Sequence, residues 1–394
     1  ALGPWRRAPP SGSTETIVKF RPFGRLIPPD AAVDRLLRSL RTLSGTETVA
    51  LLDAADRLAA STVRADRPIP GTDRASWDGY ALRAAETRSA SPSRPLRLRV
   101  RGERFAEGGD GGRLRPGEAR AVATGATLPR GADAVAIFEE VERRGGFIVL
   151  TRPVRAGDRI ARTGEDFARG DPLVRAGELL TPARIGALAT FGRATVSVRA
   201  RPRIAIVSNG NELVPPGAKL RPGRIHESNS AALAAVVRAA GGEPIVHPPA
   251  PDDPRQLRTL LRRAARTSDL LLVTGGSSVG ERDLLPDLFA SEGRLLFHGI
   301  AVRPGKPTLA ARVDGRLWLG LPGHPTSCLL NMFWLGLPVL RRAAGREGPG
   351  WVEGWARMGE RAVPLTEGLS TVVPLRRGPG GRVYSTFRSS SAIS

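Results

Sequence analysis

The sequence predicts a multidomain protein of the α/β plus β class, with one three-layer α/β/α domain built on a mostly parallel sheet. Strand-like and helix-like patterns alternate regularly over residues 201–345, as they do where helices cover both faces of parallel strands. Short β-like runs between Pro and Gly turns fill residues 66–145 and the tail after residue 345. At 394 residues the chain is long enough for more than one hydrophobic core.

The first half of the chain predicts a linker domain with an insertion. Residues 1–20 are expected to be a disordered extension, residues 21–65 and 146–200 to form a discontinuous helical and β linker domain, and residues 66–145 to form an inserted β-rich module. Apolar periodicity over residues 30–60 predicts two helices with a break near Ser44 and Gly45. A helix at 182–191, with proline in its first turn, precedes a strand at 195–198.

The second half predicts the α/β domain at 201–345 and a short C-terminal β domain at 346–394. Strands are expected at 204–207, 243–247, 269–273, 295–300 and 317–320, and helices at 230–240, 253–266, 284–291 and 326–343. Ligands of such sheets bind beyond the carboxyl ends of the strands. We therefore expect the loops starting at Ser208, Thr274 and Leu321 to share one edge.

Composition narrows the functional classes. The net charge of +22 comes from 57 Arg and 3 Lys against 38 acidic residues, but these are scattered without a basic block, so nucleic-acid binding is not expected as the main function. No apolar run of about 18 residues exists to span a membrane. The start of the chain lacks the apolar core of a secretory signal, and the single Cys328 suits a reducing compartment. A cytoplasmic protein is expected.

The most informative segment is the glycine-rich stretch TGGSSVGERD at 274–283, which directly follows a predicted strand. Glycines allow a sharp turn whose backbone N–H groups face an oxyanion, and serine hydroxyls add further donors. Such a turn is structural as often as it is functional. Asp283 favours function, because a carboxylate at this edge would repel phosphate unless it held a cation.

Other polar residues are expected on the same edge. Glu212 follows the strand at 204–207 and could share a divalent ion with Asp283, or could simply cap its own loop. Lys306 lies in a proline-bounded turn and is one of three lysines, which suggests a required ammonium group, although chance is an alternative. The loop at 321–327 opens a helix and forms a second candidate anion cradle. The histidines lack metal-ligand spacing, so no zinc site is expected.

Six segments together resemble the molybdopterin molybdotransferase family, which includes MoeA and the E domain of gephyrin. They are DGYA at 78–81, TGA at 124–126 with GADAV at 131–135, GED at 164–166, GGSSVG at 275–280, PGKP at 304–307 and GLPG at 320–323. The similarity runs in order from about residue 23 to residue 391. One motif would be weak, but six in register are specific.

The resemblance implies a transferase of molybdenum cofactor biosynthesis. Adenylylated molybdopterin would receive molybdenum from molybdate, and Mg²⁺-dependent hydrolysis would release AMP. Asp78, Glu212 and Asp283 would form the magnesium and hydrolysis site, with their individual roles undecided, and Thr124 and Asp166 would position the ligand. The residues implied for the pterin phosphate, the nucleotide and molybdate are Gly275, Gly276, Ser277, Ser278, Gly280, Arg303, Lys306, Pro322, Gly323 and Ser327.

The resemblance also implies a MoaB/MogA-like architecture for the α/β domain and an elongated homodimer, in which the inserted module of one subunit faces the α/β domain of the other. Several positions depart from the family pattern. Asn211 and Glu227 stand where aspartates are usual, His324 replaces Asn, Arg303 replaces Lys, and residues 74–77 replace Asn-Ser-Ala-Met. By the same resemblance, the family's C-terminal β domain would continue beyond Ser394. A tungstate-specific paralogue and a non-catalytic molybdopterin-binding scaffold therefore remain as alternatives.

Overall fold

The computed structural model describes residues 25–40, 43, 45–104, 112–275, 284–359 and 367–386. The chain divides into two compact units. Unit one comprises Ala1–Glu47 and Arg199–Ser394, and unit two comprises Thr48–Val198. The expected disordered extension at 1–20 lies outside the described residues, and the expected domain boundaries at 65 and 145 remain predictions.

The chain begins its described part with helix α1 (Pro29–Ser39), followed by strand β1 (Thr46–Ala50). Ala32 and Leu36 lie one turn apart on α1 and are buried in the core of unit one. The prediction of a second helix within residues 30–60 is wrong. Residues 46–50 form a strand that pairs with residues 195–199, and only a 3₁₀ turn follows at Leu51–Asp53. Thr46 and Val49 are β-branched and favour the strand, and the local pattern could not show its distant partner.

Unit two is mainly β-sheet. Its elements are β2 (Val63–Arg64), β3 (Arg74–Ala75), β4 (Gly79–Leu82), β5 (Leu96–Arg104), β6 (Glu118–Val122), β7 (Ala134–Ile137), β8 (Glu142–Arg144), β9 (Phe147–Leu150), β10 (Ile160–Ala161), β11 (Pro172–Val174), α2 (Pro182–Thr190) and β12 (Thr195–Arg199), in which the chain returns to unit one. Six strands form a sheet in the order β7-β4-β6-β5-β9-β8. Every pairing in it is antiparallel except β5 with β6.

Unit one continues with alternating strands and helices. They are β13 (Arg203–Ser208), β14 (Leu213–Val214), β15 (Ile225–His226), α3 (Asn229–Ala239), β16 (Glu243–Val246), α4 (Pro254–Arg266), β17 (Leu270–Thr274), α5 (Leu284–Glu292), β18 (Arg294–His298), β19 (Val302–Arg303), β20 (Leu309–Val313), β21 (Arg316–Leu321), α6 (Pro325–Asn331), α7 (Leu337–Ala343), β22 (Arg357–Met358), β23 (Ser370–Thr371), β24 (Leu375–Arg377) and β25 (Arg382–Ser385). The elements predicted for the α/β domain are present within a few residues of their expected bounds.

The central sheet of unit one confirms the three-layer prediction. Its order is β16-β13-β17-β21-β20-β18, with the first four strands parallel to one another and β20 antiparallel to both of its neighbours, β21 and β18. Ile204 and Ile206 of β13 face one apolar cluster, whereas Ala205 and Val207 face the other, so both faces of the strand are buried. Strand β20 was not predicted. Asp314 and Gly315, which separate it from β21, form a typical hairpin turn and were the available signal.

The predicted helix at 326–343 is interrupted in the structure. Residues Met332–Gly336 form a π-helical segment between α6 and α7. Pro338 lies early in α7 and lacks the N–H of a normal helical bond, which accounts for an interruption just before it. The tail forms a three-stranded sheet of β22, β25 and β24. Within the described part of the chain, no helix is long and apolar enough to cross a membrane.

Candidate active site

A cleft of about 960 Å³ opens in unit one beyond the carboxyl ends of three adjacent strands. Ser208 ends β13, Thr274 ends β17 and Leu321 ends β21, and the register places Ser208 opposite Thr274 and Thr274 opposite Leu321. The loops that follow these strands therefore begin side by side, as the sequence predicted. This is the usual ligand-binding edge of such a sheet.

The structure places the predicted site residues in three groups. Those that line the cleft are Glu212, Gly275, Arg303, Lys306, Pro322, Gly323 and Ser327. Those that lie in unit two are Asp78, Thr124 and Asp166. Those that lie outside the described residues are Gly276, Ser277, Ser278, Gly280 and Asp283.

Two glycines allow the loops around the cleft to approach closely. Gly275 has φ +91°, and a Cβ there would lie 2.2 Å from the carbonyl oxygen of Asn209. A Cβ on Gly323 would lie 3.4 Å from the Cα of Gly275. Gly275, the first residue after β17, is therefore packed backbone to backbone against Asn209 and Gly323 in the loops after β13 and β21. Only glycine fits at position 275, for reasons of both conformation and space.

A rigid turn carries the cationic wall of the cleft. Asn331 of α6 is 1% exposed, and its Nδ2 donates to the carbonyl oxygen of Gly305 at 2.7 Å and to Thr308 Oγ1 at 2.6 Å. Gly305 has φ +106°, and the peptide bond between Arg303 and Pro304 is cis. Lys306 is half-buried. The ammonium and guanidinium groups of this turn suit an anionic ligand.

An acidic residue that the sequence interpretation missed lies on another wall. Asp252 lines the cleft and accepts hydrogen bonds from Asn209 Nδ2 at 2.7 Å and from the backbone N–H of Asn211 at 3.2 Å. The N–H of Asp252 in turn donates to Asn211 Oδ1 at 3.1 Å. The side-chain amide of Asn211 is thus bonded to the backbone of Asp252, and the backbone of Asn211 is bonded to the carboxylate of Asp252. The position of Asp252 shortly after β16, at the same sheet edge, was the available signal.

A buried polar network lies beside the cleft and was also missed. Ser208 is 0% and Thr274 1% exposed, and Glu227 is 6% exposed although it lines the cleft. Glu227 Oε1 accepts from Ser208 Oγ and from the N–H of Ser230, both at 2.9 Å. Asn229 Nδ2 donates to the carbonyl oxygen of Gly323 at 2.9 Å and to Thr274 Oγ1 at 3.4 Å. The network therefore joins β13, β17, α3 and the loop after β21.

Cys328 of α6 lies next to the cleft-lining Ser327 and is 2% exposed. Burial raises the pKa of its thiol well above the usual range, and the nearby Glu227 raises it further. The thiol is therefore protonated at neutral pH.

The carboxylates that line the cleft suit a magnesium ion whose remaining ligands would come from a substrate and from water. Glu212 is exposed at the cleft and Asp252 lines it. No group of three His, Cys, Asp or Glu side chains capable of holding a metal occurs among the described residues. Mg²⁺ commonly uses one or two carboxylates together with waters and substrate phosphates. The hard oxygen donors of Glu212 and Asp252 match that requirement.

In unit two, strand pairing brings Asp78 and Thr124 together. Asp78 precedes β4, Thr124 follows β6, and Gly79 pairs with Val122 across the two strands. Asp78 Oδ1 accepts from the Thr124 N–H at 2.6 Å and from Thr124 Oγ1 at 2.9 Å. The backbone bond, and then the hydroxyl bond, lower the pKa of the exposed Asp78 carboxyl.

Asp166 does not join this pair through any hydrogen bond of the described residues. Its side chain is exposed, and its backbone N–H donates to the carbonyl oxygen of Ile69 at 3.1 Å. A second Asp–Thr pair in unit two involves Asp73, which accepts from the Thr163 N–H at 2.8 Å and from Thr163 Oγ1 at 2.9 Å. Arg162 also donates to Asp73 at 2.8 Å.

Comparison with known proteins decides the family. The family model of the MoeA N-terminal region (domain I and II) matches residues 27–192, and that of a probable molybdopterin binding domain matches residues 205–342. The molybdopterin molybdenumtransferase of Bacillus subtilis is 35% identical over 320 residues, which cover 80% of this chain and 74% of that protein. The chain belongs to the MoeA family. The resemblance predicted from six short segments is therefore confirmed.

Other MoeA proteins agree with this assignment. Molybdopterin molybdenumtransferase 2 of Mycobacterium tuberculosis is 35% identical over 80% of this chain and 79% of its own length. A crystal structure of the molybdopterin biosynthesis protein MoeA from Pyrococcus horikoshii superimposes with a TM-score of 0.80 at 35% identity, over 92% of this chain and 90% of that one. Membership in the MoeA family places the chain among the transferases of molybdenum cofactor biosynthesis.

Proposed function

We propose that this MoeA homologue transfers molybdenum from molybdate to adenylylated molybdopterin and releases AMP with the help of Mg²⁺. The observation that carries the proposal is the cleft of unit one, which is lined both by the cations Arg303 and Lys306 and by the carboxylates Glu212 and Asp252. Cations attract a diphosphate and an oxyanion. Carboxylates beside the same ligand are favourable when a divalent ion separates the like charges.

The residues have distinct tasks in this proposal. Gly275 and Gly323 let the backbone approach the phosphates, and Lys306 balances their charge, with Gly276, Ser277, Ser278 and Gly280 assigned to the same task by resemblance. Arg303, Pro322 and Ser327 lie where molybdate would be held. Bound Mg²⁺ would be held by Glu212, with Asp78 and Asp283 assigned by resemblance, and would neutralise charge on the pyrophosphate. Thr124 would keep Asp78 ionised and oriented, and Asp166 would help to position the ligand.

The proposed reaction has two steps. The two sulfurs of the dithiolate replace two oxygens of molybdate, and these oxygens leave as water with the protons of the thiols and of the solvent. A water molecule then attacks the pyrophosphate, one P–O bond breaks, and AMP and the phosphate of the molybdenum-loaded pterin separate.

The proposal includes a cytoplasmic homodimer. Light scattering of the purified full chain should give twice the mass of one 41.9 kDa chain. A monomeric mass in a preparation that releases AMP would contradict this part of the proposal.

Lysine substitutions test the cleft directly. Lys306→Met should lower kcat/KM for AMP release from adenylylated molybdopterin by about tenfold or more, because a charge-assisted contact with phosphate is lost. Lys219→Met is the matched control. Lys219 lies in the loop between β14 and β15 and is not among the residues that line the described cleft. Its kcat/KM should stay close to that of the wild type, and equal effects of the two substitutions would contradict the assignment.

The oxyanion supplied in this assay separates the alternatives. Faster AMP release with molybdate than with tungstate supports the proposed substrate, and the reverse order supports a tungstate-specific paralogue. A wild-type protein that binds the pterin yet releases no AMP with Mg²⁺ and either oxyanion would establish the scaffold alternative and end the catalytic one.

A further inference from the structure

We propose that Glu227 recognises an N–H edge of the heterocyclic part of the ligand through its second carboxylate oxygen, Oε2. This inference rests on the proposed function, since it concerns a ligand that carries a pterin and an adenine in the cleft of unit one. Glu227 is not among the groups assigned to phosphate, molybdate or magnesium. It would determine specificity rather than take part in the reaction.

The position of Glu227 is fixed by its neighbours. It lies between β15 and α3, and its backbone N–H donates to the carbonyl oxygen of Val214 at 2.8 Å. Oε1 accepts two hydrogen bonds, from the hydroxyl of Ser208 and the N–H of Ser230, each at 2.9 Å. Among the described residues, no hydrogen bond involves Oε2. One half of a 6% exposed carboxylate that lines the cleft is thus left for a ligand.

The donor and acceptor capacity of each group determines which group donates in each hydrogen bond of the network. The amide nitrogen of Asn229 only donates and the carboxylate of Glu227 accepts, whereas each hydroxyl between them has one proton. Because Ser208 gives its proton to Glu227, the hydroxyls of Ser230 and Thr274, at 2.7 and 3.4 Å, must donate to Ser208. The second proton of the Asn229 amide is used by the carbonyl oxygen of Gly323.

No spare donor therefore remains in this network, and its unfilled position is an acceptor. Oε2 is not among the enclosed side-chain atoms that lack a partner, so it is open to the cleft that Glu227 lines, where a ligand N–H can donate to it. Phosphate and molybdate are repelled by a carboxylate. The N–H groups that fit are the 2-amino and N3–H groups of a pterin or the 6-amino group of adenine, and both have the same chemistry.

The experiment measures binding preference rather than turnover. Dissociation constants of the full chain are measured for pterin against lumazine, in which an oxygen replaces the 2-amino group, and for AMP against inosine monophosphate, in which an oxygen replaces the 6-amino group. Wild-type protein should prefer the amino compound in one of these pairs. In Glu227→Gln, the side-chain oxygen can still accept from Ser208 and Ser230, while an NH₂ group replaces Oε2. The preference should fall by about tenfold or more, because a donor now faces a donor.

Glu243→Gln is the control, since it removes the same charge from an exposed residue of unit one that does not line the cleft, and it should leave both preferences unchanged. If Glu227→Gln lowers the midpoint of thermal unfolding, Glu227→Asp is used in its place because it retains the charge. Glu227→Asp should weaken the preference for the amino compound without abolishing it. A change in the pterin pair identifies the pterin edge as the partner, and a change in the AMP pair identifies adenine.

Three results would overturn the inference. They are a wild-type protein without preference in either pair, a folded Glu227→Gln with preferences unchanged, and equal losses in the Glu227 and Glu243 variants. Failure of the proposed function is distinguishable from these. It would show as absent AMP release by a wild-type protein whose binding preference is intact.

Discussion

The two units hold a carboxylate with the same pair of donors but in opposite surroundings. In unit one, a backbone N–H and a serine hydroxyl bind one oxygen of the buried Glu227. In unit two, a backbone N–H and a threonine hydroxyl bind one oxygen of the exposed Asp78. Where water has access, the two donors mainly set the charge state, since they lower the pKa of Asp78. Where water is excluded, they mainly set position, because neighbouring segments depend on the same bonds.

The largest expected effect follows from removing the charge in unit two. Asp78→Asn should reduce AMP release by about 10²–10⁴-fold, the range typical of a group that acts directly on the reaction, while the oxygen that Thr124 binds is retained. Asp73→Asn is the matched control, because Asp73 has the same two threonine donors but no assigned role. Initial rates of AMP formation would check this. Similar losses in both variants would make the Asp–Thr pairs structural rather than functional.

The next effect concerns the backbone contact of unit one. Gly275→Ala should destabilise this unit by about 1–2 kcal/mol through its positive φ and by about 1–3 kcal/mol more through overpacking against Asn209. Gly217 has φ +87°, but no heavy atom lies within 4 Å of an added Cβ. Gly217→Ala should therefore show only the cost of the positive φ. Thermal unfolding of the three proteins gives the comparison. Equal midpoints for the two variants would mean that the loops do not need their close approach.

A smaller effect separates buried from exposed hydroxyl pairs. Ser208→Ala should cost about 1–3 kcal/mol, because it leaves the buried hydroxyls of Thr274 and Ser230 without their acceptor. Thr72→Ala breaks the exposed 3.3 Å bond to Thr127 in unit two and should cost less than about 0.5 kcal/mol. Thermal unfolding measures both. A Thr72 effect as large as that of Ser208 would remove the contrast between the units.

The smallest effect is a shift in pH dependence. The lowered pKa keeps Asp78 ionised as the pH falls, so the benefit of its charge is lost only when the pH passes below that pKa. Thr124→Val removes the hydroxyl, returns the pKa part of the way to its ordinary value, and should move the acid limb of the AMP-release profile to higher pH. The backbone donor, which is the larger cause, remains in this variant. Thr124→Ser should keep the wild-type limb, and an unmoved limb in Thr124→Val would show that another group controls it.

The sequence predicted what depends on repeating local patterns. The alternation of residues 201–345 was sufficient to place Ser208, Thr274 and Leu321 at one edge, because parallel strands align their carboxyl ends. It was insufficient for the buried network. Serine, threonine and asparagine at strand ends are typical turn residues, and their bonds connect segments that are distant in the chain.

The family resemblance assigned Asp78 and Thr124 to the site, but the hydrogen bonds between them were not predicted. These bonds depend on the register between β4 and β6, which no local pattern indicates. The wrong helix within residues 30–60 has the same origin, since β1 is stabilised by a partner near residue 197. Asp252 was missed because it precedes a helix and looked like part of its start. The sequence did not show which of several polar turns lie together. That depends on contacts between segments that are distant in the chain.

The enclosed Cys328 has a consequence for the fidelity of metal delivery. A transferase that hands a thiophilic metal to a sulfur ligand must not offer sulfur of its own, because a protein thiolate would compete for the metal or form a disulfide with the ligand. Here burial, together with the charge of Glu227, keeps that thiol protonated. This thiol therefore neither competes for the metal nor reacts with the ligand. Resistance of Cys328 to thiol reagents in the folded protein would show this directly.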